Sequence, residues 1–187
     1  MQDWIKAILG AKRIDLYDPT PREVVDKMLE LAELKEGEIL YDLGCGDGRI
    51  VVTAAKRYGV TSIGIDYDPE WIQASKENAS REGVADRVTI NQADLFKTDL
   101  SAADVITVYL LPRLNVSLMP QLEQLKPGAR ILSHNHDMKG AKPKQTVGVK
   151  TAEGEVHTVY LWVVPWEKEE VPEEDFDSGP DSAQDAG

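Results

Sequence analysis

Apolar and polar positions follow two different periods along this chain, and the switches between them mark its elements. Ile39-Leu40-Tyr41-Asp42-Leu43 is a short, nearly continuous apolar run and predicts a buried strand. The turn Gly44-Cys45-Gly46-Asp47-Gly48 ends it, and Ile50-Val51-Val52-Thr53-Ala54-Ala55-Lys56 then predicts a helix over about 48–58. The same alternation repeats downstream. Val60 to Ile65 reads as a second strand ending in Asp66, and Asp68-Pro69-Glu70 opens a helix to about Glu82, stopped by Gly83. Val88 to Ile90 is a short third strand ending before Asp94, and Val105 to Leu110 a fourth. A helix is expected over roughly 113–125, with Pro120 kinking or restarting it. After the turn Lys126-Pro127-Gly128, Ala129 to Leu132 is a fifth strand running into Ser133-His134-Asn135-His136-Asp137. Residues 138–144 form a loop. Gln145 to Lys150 and Val156 to Val164 are then two strands joined by Thr151–Glu155 as a hairpin.

Upstream of this series, Trp4, Ile5, Ile8 and Leu9 fit a short amphipathic helix, expected as an arm or lid formed by residues 1–20. Thr20-Pro21-Arg22-Glu23 starts a further helix, with Thr20 as the expected N-cap, Pro21 in the first helical position and Glu23 completing a capping box. Val24, Met28, Leu31 and Leu34 form its apolar stripe, and Gly37 is expected to end it. Strands alternating with helices predict an α/β fold: a doubly wound, Rossmann-like, mostly parallel sheet with a C-terminal antiparallel hairpin.

Composition narrows the class. A length of 187 residues fits one domain with a real core. No apolar run reaches the length of a membrane span, and no signal peptide precedes the first helix. Cys45 is the single cysteine, so neither an intrachain disulfide nor a zinc cluster is available, and a reducing, cytoplasmic setting is expected. The net charge is −12, but residues 167–187 hold nine acids and one base, leaving −4 on the rest. That acidic segment is too polar to order itself and is expected to be a disordered tail, with the domain proper over 21–166. An acidic body also argues against nucleic acid as a partner.

Ligands of an open α/β sheet bind beyond the carboxyl ends of its strands. Those ends carry Asp42 with the glycine turn, Asp66, Gln92-Ala93-Asp94, Tyr109, and His134-Asn135-His136. A strand, a glycine turn and a helix N-terminus bring bare backbone N–H groups to one point, suited to a nucleotide or an adenosyl ligand. Asp66, 22 residues after Gly44, can accept hydrogen bonds from both hydroxyls of a ribose. A dinucleotide dehydrogenase would need Gly-x-Gly-x-x-Gly, whereas the glycines here are 44, 46 and 48, with Arg49 following. Asp94 adds an acid that can accept from an adenine amino group. An adenosyl ligand without phosphates fits this set best.

These residues carry a resemblance. Tyr41–Val51, Ile63-Gly64-Ile65-Asp66 and Asn91-Gln92-Ala93-Asp94-Leu95 resemble the three cofactor motifs of class I S-adenosylmethionine-dependent methyltransferases. Tyr17-Asp18-Pro19-Thr20-Pro21, Val24-Val25, Met28-Leu29 and Gly46–Val51 are similar to a group of small non-SET protein lysine methyltransferases. Members of that group modify the mitochondrial adenine nucleotide translocase and the ATP synthase c-subunit. The resemblance implies S-adenosylmethionine as cofactor and S-adenosylhomocysteine as product. It implies that Asp42, Gly44, Cys45 and Gly46 hold the methionine end, Asp66 the ribose, and Tyr67, Asp94 and Leu95 the adenine, with Tyr17 beside them. It also implies a protein lysine as methyl acceptor. The alternatives are small-molecule O- or N-methylation and cofactor binding without catalysis. Many amine methyltransferases carry an Asn/Asp-Pro-Pro-Tyr type motif after the fourth strand, where this chain has Tyr109-Leu110-Leu111-Pro112.

Two residues are candidates for the chemistry itself. Tyr109 can position an amine by hydrogen bonding or aromatic contact, or be a core aromatic. His134 can act as a base towards an oxygen nucleophile, or be a hydrogen-bonded support of its loop. His134, His136 and Asp137 are too thin a ligand set for a metal, and none is expected.

Overall fold

The computed structural model describes residues 18–170. The expected arm helix, Tyr17 and most of the acidic segment lie outside them. Four helices, α1 (Arg22–Ala32), α2 (Arg49–Tyr58), α3 (Pro69–Arg81) and α4 (Pro112–Leu122), pack on a seven-stranded sheet. Its strands are β1 (Ile39–Leu43), β2 (Thr61–Asp66), β3 (Val88–Gln92), β4 (Val105–Val108), β5 (Arg130–His134), β6 (Gln145–Lys150) and β7 (Val156–Val163). The order across the sheet is β3-β2-β1-β4-β5-β7-β6. The first five strands run parallel, and β7 enters antiparallel between β5 and β6.

The two-residue strand period sorts the core into two layers. Leu40, Val105, Leu132, Val159 and Leu161 face one way and pack with Val24, Met28 and Leu29 of α1 and Val51 and Ala54 of α2. Tyr41, Leu43, Ile106, Val108, Ile131 and Trp162 face the other way, against Leu118 and Leu122 of α4. Both sides of the central strands are therefore covered, which is why β1 and β4 read as unbroken apolar runs.

Several ends differ from the sequence expectation, each for a tertiary reason. The capping box at α1 does not form: the helix begins at Arg22, after Pro21, without a side-chain cap. Thr20 instead meets the His134 ring, and the Glu23 carboxylate accepts the Ala152 N–H of the β6–β7 turn at 3.1 Å. Gly37 does not end α1 either. Glu33 does, in the left-handed region at φ 48°, and the Arg130 guanidinium takes up the terminal carbonyls of Ala32 and Glu33 at 2.7 and 3.1 Å. β3 extends to Gln92 because Asn91 and Gln92 pair with Ile65 and Asp66. β4 stops at Val108, leaving Tyr109-Leu110-Leu111 as a loop before Pro112 opens α4, and α4 passes through Pro120 unbroken. The acidic segment does not begin at a free end: Lys168 bridges Ala141, and Glu169 donates its N–H to the Gly140 carbonyl at 3.0 Å.

One position shows how tightly the glycine turn is wedged onto the sheet. A Cβ on Gly64 of β2 would lie 2.8 Å from both Cys45 Sγ and Ile90 Cδ1. Gly64→Ala is therefore expected to lower stability by about 1–3 kcal/mol through overpacking, seen as a lower urea midpoint; an unchanged midpoint would contradict the packing described.

Candidate active site

Strand register lines up the site. Leu43 pairs with Ile65 on one side and Val108 on the other, Ile65 pairs with Asn91, and Val108 pairs with Ser133. The next residues along, Gln92, Asp66, Gly44, Tyr109 and His134, therefore form one row across the carboxyl rim. Neighbours in it are about 4.8 Å apart by strand spacing. Asp42 sits one residue below the end of β1.

The glycine turn is held by β2 and α3. Gly44 and Cys45 donate N–H bonds to the Ile65 carbonyl at 2.8 and 3.0 Å, and Gly46 donates to Asp66 Oδ2 at 2.9 Å. Ser75 Oγ donates to the Gly46 carbonyl at 2.5 Å, and Asn78 to the Asp47 carbonyl at 3.0 Å. Gly44 has φ 81°, and a Cβ there would fall 2.9 Å from Leu110 Cδ2, so only glycine lets the Tyr109–Leu111 loop close over the turn. Arg49 clasps Asp47 at 2.8 Å and donates to the Thr20 carbonyl at 2.8 Å, joining the turn to the chain that enters α1.

Three carboxylates border this turn. Asp66 accepts N–H groups from Gly46 and, through Oδ1, from Asp68 at 3.0 Å, and each oxygen keeps a second lone pair for a ligand hydroxyl. Asp42 is buried and accepts the Thr107 hydroxyl at 2.7 Å. Burial, reinforced by the charges of Asp66 and Asp47, raises its pKa to about 7 against the pull of Thr107. A buried acid short of charge compensation fits a cationic ligand group. Asp94 lies two residues beyond β3 and accepts the Phe96 N–H at 3.0 Å, with Lys97 Nζ 3.4 Å from its other oxygen. Leu95 is partly buried beside it in the second core layer. Tyr67, next to Asp66, is 52% exposed and Leu111 is 39% exposed; both are large apolar groups left open at this rim. Cys45 is buried with Sγ 3.7 Å from Ser75 Oγ, and burial pushes its thiol pKa up, so it packs rather than reacts.

On the other half of the row, Tyr109 donates its hydroxyl to Asp18 Oδ2 at 2.6 Å. Its ring lies 3.9 Å from the His134 ring, tilted by 40°, and 5.9 Å from His136, nearly parallel at 18°. Burial and then Asp18 hold the phenol protonated, with its pKa raised to about 12. His134 is fully buried. Its Nδ1 meets Thr20 Oγ1 at 3.2 Å and its Nε2 meets His157 Nδ1 at 2.9 Å, so both ring nitrogens are engaged. Burial and then His157 lower its pKa to about 4. Sequence reasoning offered His134 as a base or as a hydrogen-bonded support of its loop; the structure places its ring beside Tyr109 with partners at both nitrogens. It missed Thr107, Ser75, Asn78 and His157 as partners of the site, and none carries a local motif that would have marked it. No group of three or more potential metal ligands occurs among the described residues. None of their helices is long and apolar enough to cross a membrane.

Comparison with known proteins follows the same residues. Residues 42–145 match the model of the ANTKMT methyltransferase domain. A protein-lysine N-methyltransferase of Saccharolobus islandicus is 43% identical over 151 residues, which cover 79% of this chain and 92% of that protein. The crystal structure of an RNA methyltransferase from Salinibacter ruber, in complex with S-adenosyl-L-homocysteine, is 48% identical. It superposes with a TM-score of 0.74, covering 83% of this chain and 97% of that one. A ribosomal protein L11 methyltransferase of Pectobacterium carotovorum is 34% identical over 125 residues, but the matched part spans only 40% of its length.

Proposed function

From the premise that the chain belongs to the ANTKMT methyltransferase family, we propose that it uses S-adenosylmethionine to methylate the ε-amine of a protein lysine. The row Asp66–Gly44–Tyr109 carries this reading: a cofactor half and an acceptor half meet at adjacent strand ends. Asp42, Gly44, Cys45 and Gly46 would hold the methionine end, Asp66 the ribose, and Tyr67, Asp94 and Leu95 the adenine. Tyr17, outside the described residues, keeps its place beside them by resemblance alone. The bound cofactor supplies an electrophilic methyl group, so the protein's task is to position the amine and exclude water.

Tyr109 does that positioning. Its hydroxyl proton is committed to Asp18 and the Asn135 side chain donates towards its oxygen, which leaves one lone pair for an incoming amine. His134, uncharged and held at both nitrogens, fixes the ring from behind. Tyr109→Phe is expected to lower kcat/KM about tenfold, the worth of one hydrogen bond, with affinity for S-adenosylhomocysteine unchanged by calorimetry.

The Salinibacter relative's name points to RNA instead. The net charge of −12 favours a basic protein acceptor over a polyphosphate. The deciding experiment incubates the enzyme with cell extract and methyl-labelled cofactor. Label recovered as methyl-lysine after acid hydrolysis supports the proposal. Label released by ribonuclease, or found only among small molecules, overturns it.

A further inference from the structure

On the chain entering α1, Asp18 stands at the acceptor half of the rim, and its charge has so far been given only the Tyr109 hydroxyl. Two contacts hold that chain in place: Thr20 Oγ1 on His134 Nδ1 at 3.2 Å, and Arg49 Nη1 donating to the Thr20 carbonyl at 2.8 Å. The Asp18 carboxylate is exposed and accepts the Tyr109 hydroxyl at 2.6 Å. A carboxylate offers about four acceptor positions, and Tyr109 occupies one. Among the described residues, no lysine or arginine forms an ion pair with Asp18. Among the described residues, a carboxylate without a basic partner therefore flanks Tyr109 at the rim.

We propose that Asp18 and Tyr109 together form the receiving site for the acceptor's ammonium group, with Asp18 as the charge that recruits it. This rests on the lysine reading above. The carboxylate draws the cationic side chain to the rim, and the Tyr109 oxygen accepts one of its N–H groups and turns the nitrogen towards Gly44. Asp18 is a recruiting group rather than the base. An ordinary lysine and an ordinary aspartate differ by about 6 pKa units, so direct transfer of the proton between them is uphill by a factor of about a million. At the exposed rim the proton leaves to water. The contact also selects: an acceptor hydroxyl or a neutral amide gains nothing from the charge, and a nucleic-acid phosphate is repelled by it.

The consequence is a split in the kinetics. With extract protein as the titrated acceptor, Asp18→Asn is expected to raise the apparent KM about 30-fold, the loss of a hydrogen bond to a charged group. Asparagine can still accept the Tyr109 hydroxyl, so kcat should stay within about threefold. Towards pH 11, where a lysine amine with its ordinary pKa of about 10.4 is largely neutral, the variant and the parent should converge. Calorimetry with S-adenosylhomocysteine, expected unchanged, verifies that the variant is folded. NMR of 13C-tyrosine reads the contact without catalysis: removing the Asp18 charge should let the Tyr109 phenol ionise at lower pH. A wild-type enzyme that methylates lysine, beside an Asp18→Asn variant with unchanged KM, would overturn this inference and leave the lysine reading standing. Label in RNA would overturn both.

Discussion

Replacing Asp66 by alanine is expected to lower affinity for S-adenosylhomocysteine by at least about 100-fold. The estimate follows from what one side chain holds. Its two oxygens anchor the Gly46 and Asp68 N–H groups at 2.9 and 3.0 Å, and the proposed function gives their remaining lone pairs to a ribose diol. Hydrogen bonds to a charged acceptor contribute about 1.5–3 kcal/mol each, so two lost bonds to ligand hydroxyls already account for two orders of magnitude. Loss of the Gly46 anchor adds to this by loosening the turn. Asp66→Asn keeps one acceptor oxygen and should fall between parent and alanine variant. Isothermal calorimetry measures all three, and equal affinities would remove Asp66 from the site. Urea unfolding, read alongside, should shift far less than binding does, because Asp66 is only partly buried and α3 retains its own cap at Asp68.

Why the local structure around the glycine turn was readable from sequence, and the contacts around Tyr109 were not, comes down to the distance between partners. β1, the glycine turn and α2 are contiguous, and each local choice agrees with the others: an apolar run, glycines at positive φ, then a helix start. Asp66 follows because β2 ends where β1 ends. The Rossmann-like sheet and the C-terminal hairpin were legible for the same reason, as runs of correct period between clear turns. The surroundings of His134 were not legible, because its burial depends on β7, whose register against β5 sets His157 beside it. Nothing near residue 134 announces a partner 23 positions later. Thr20 and Glu23 were mistaken for a capping box because each has a tertiary partner, His134 and Ala152, that outcompetes the local bond. Asp18 belonged to a recognised motif, but its contact with Tyr109, 91 residues away, could not be seen in it.

Asp42→Asn should separate stability from cofactor binding, and pH should reveal how. The Asp42 carboxyl, ordinarily at 3.8, is raised to about 7 in the fold, chiefly by burial. The folded state thus holds its proton more tightly than the unfolded chain. This group favours folding at low pH, and its contribution is lost as pH rises from about 4 to about 7. At 1.36 kcal/mol per pKa unit, the ceiling on that loss is about 4 kcal/mol. His134 has the opposite sign. Its folded value of about 4 lies below the ordinary 6.5, so its contribution is present above 6.5 and is lost as pH falls towards 4. The two largely cancel in the parent, whose stability should change little across this window on their account. Asparagine keeps the shape and the Thr107 bond but cannot ionise. The variant should therefore be more stable than the parent above pH 7, by about 1–3 kcal/mol once relaxation is allowed for. It should also show the His134 dependence alone, weakening as the pH is lowered. Binding runs the other way. The proposed function pairs the ammonium group at the methionine end of the cofactor with the Asp42 charge, so the variant should lose affinity at neutral pH. In the parent, affinity should climb as pH approaches 7, with a proton released on binding that calorimetry detects in buffers of different ionisation enthalpy. A variant neither more stable at pH 8 nor weaker in binding would mean that Asp42 is an ordinary core residue. A variant that gains stability while losing the cofactor would identify the buried acid as strain held in the free enzyme and relieved by its ligand.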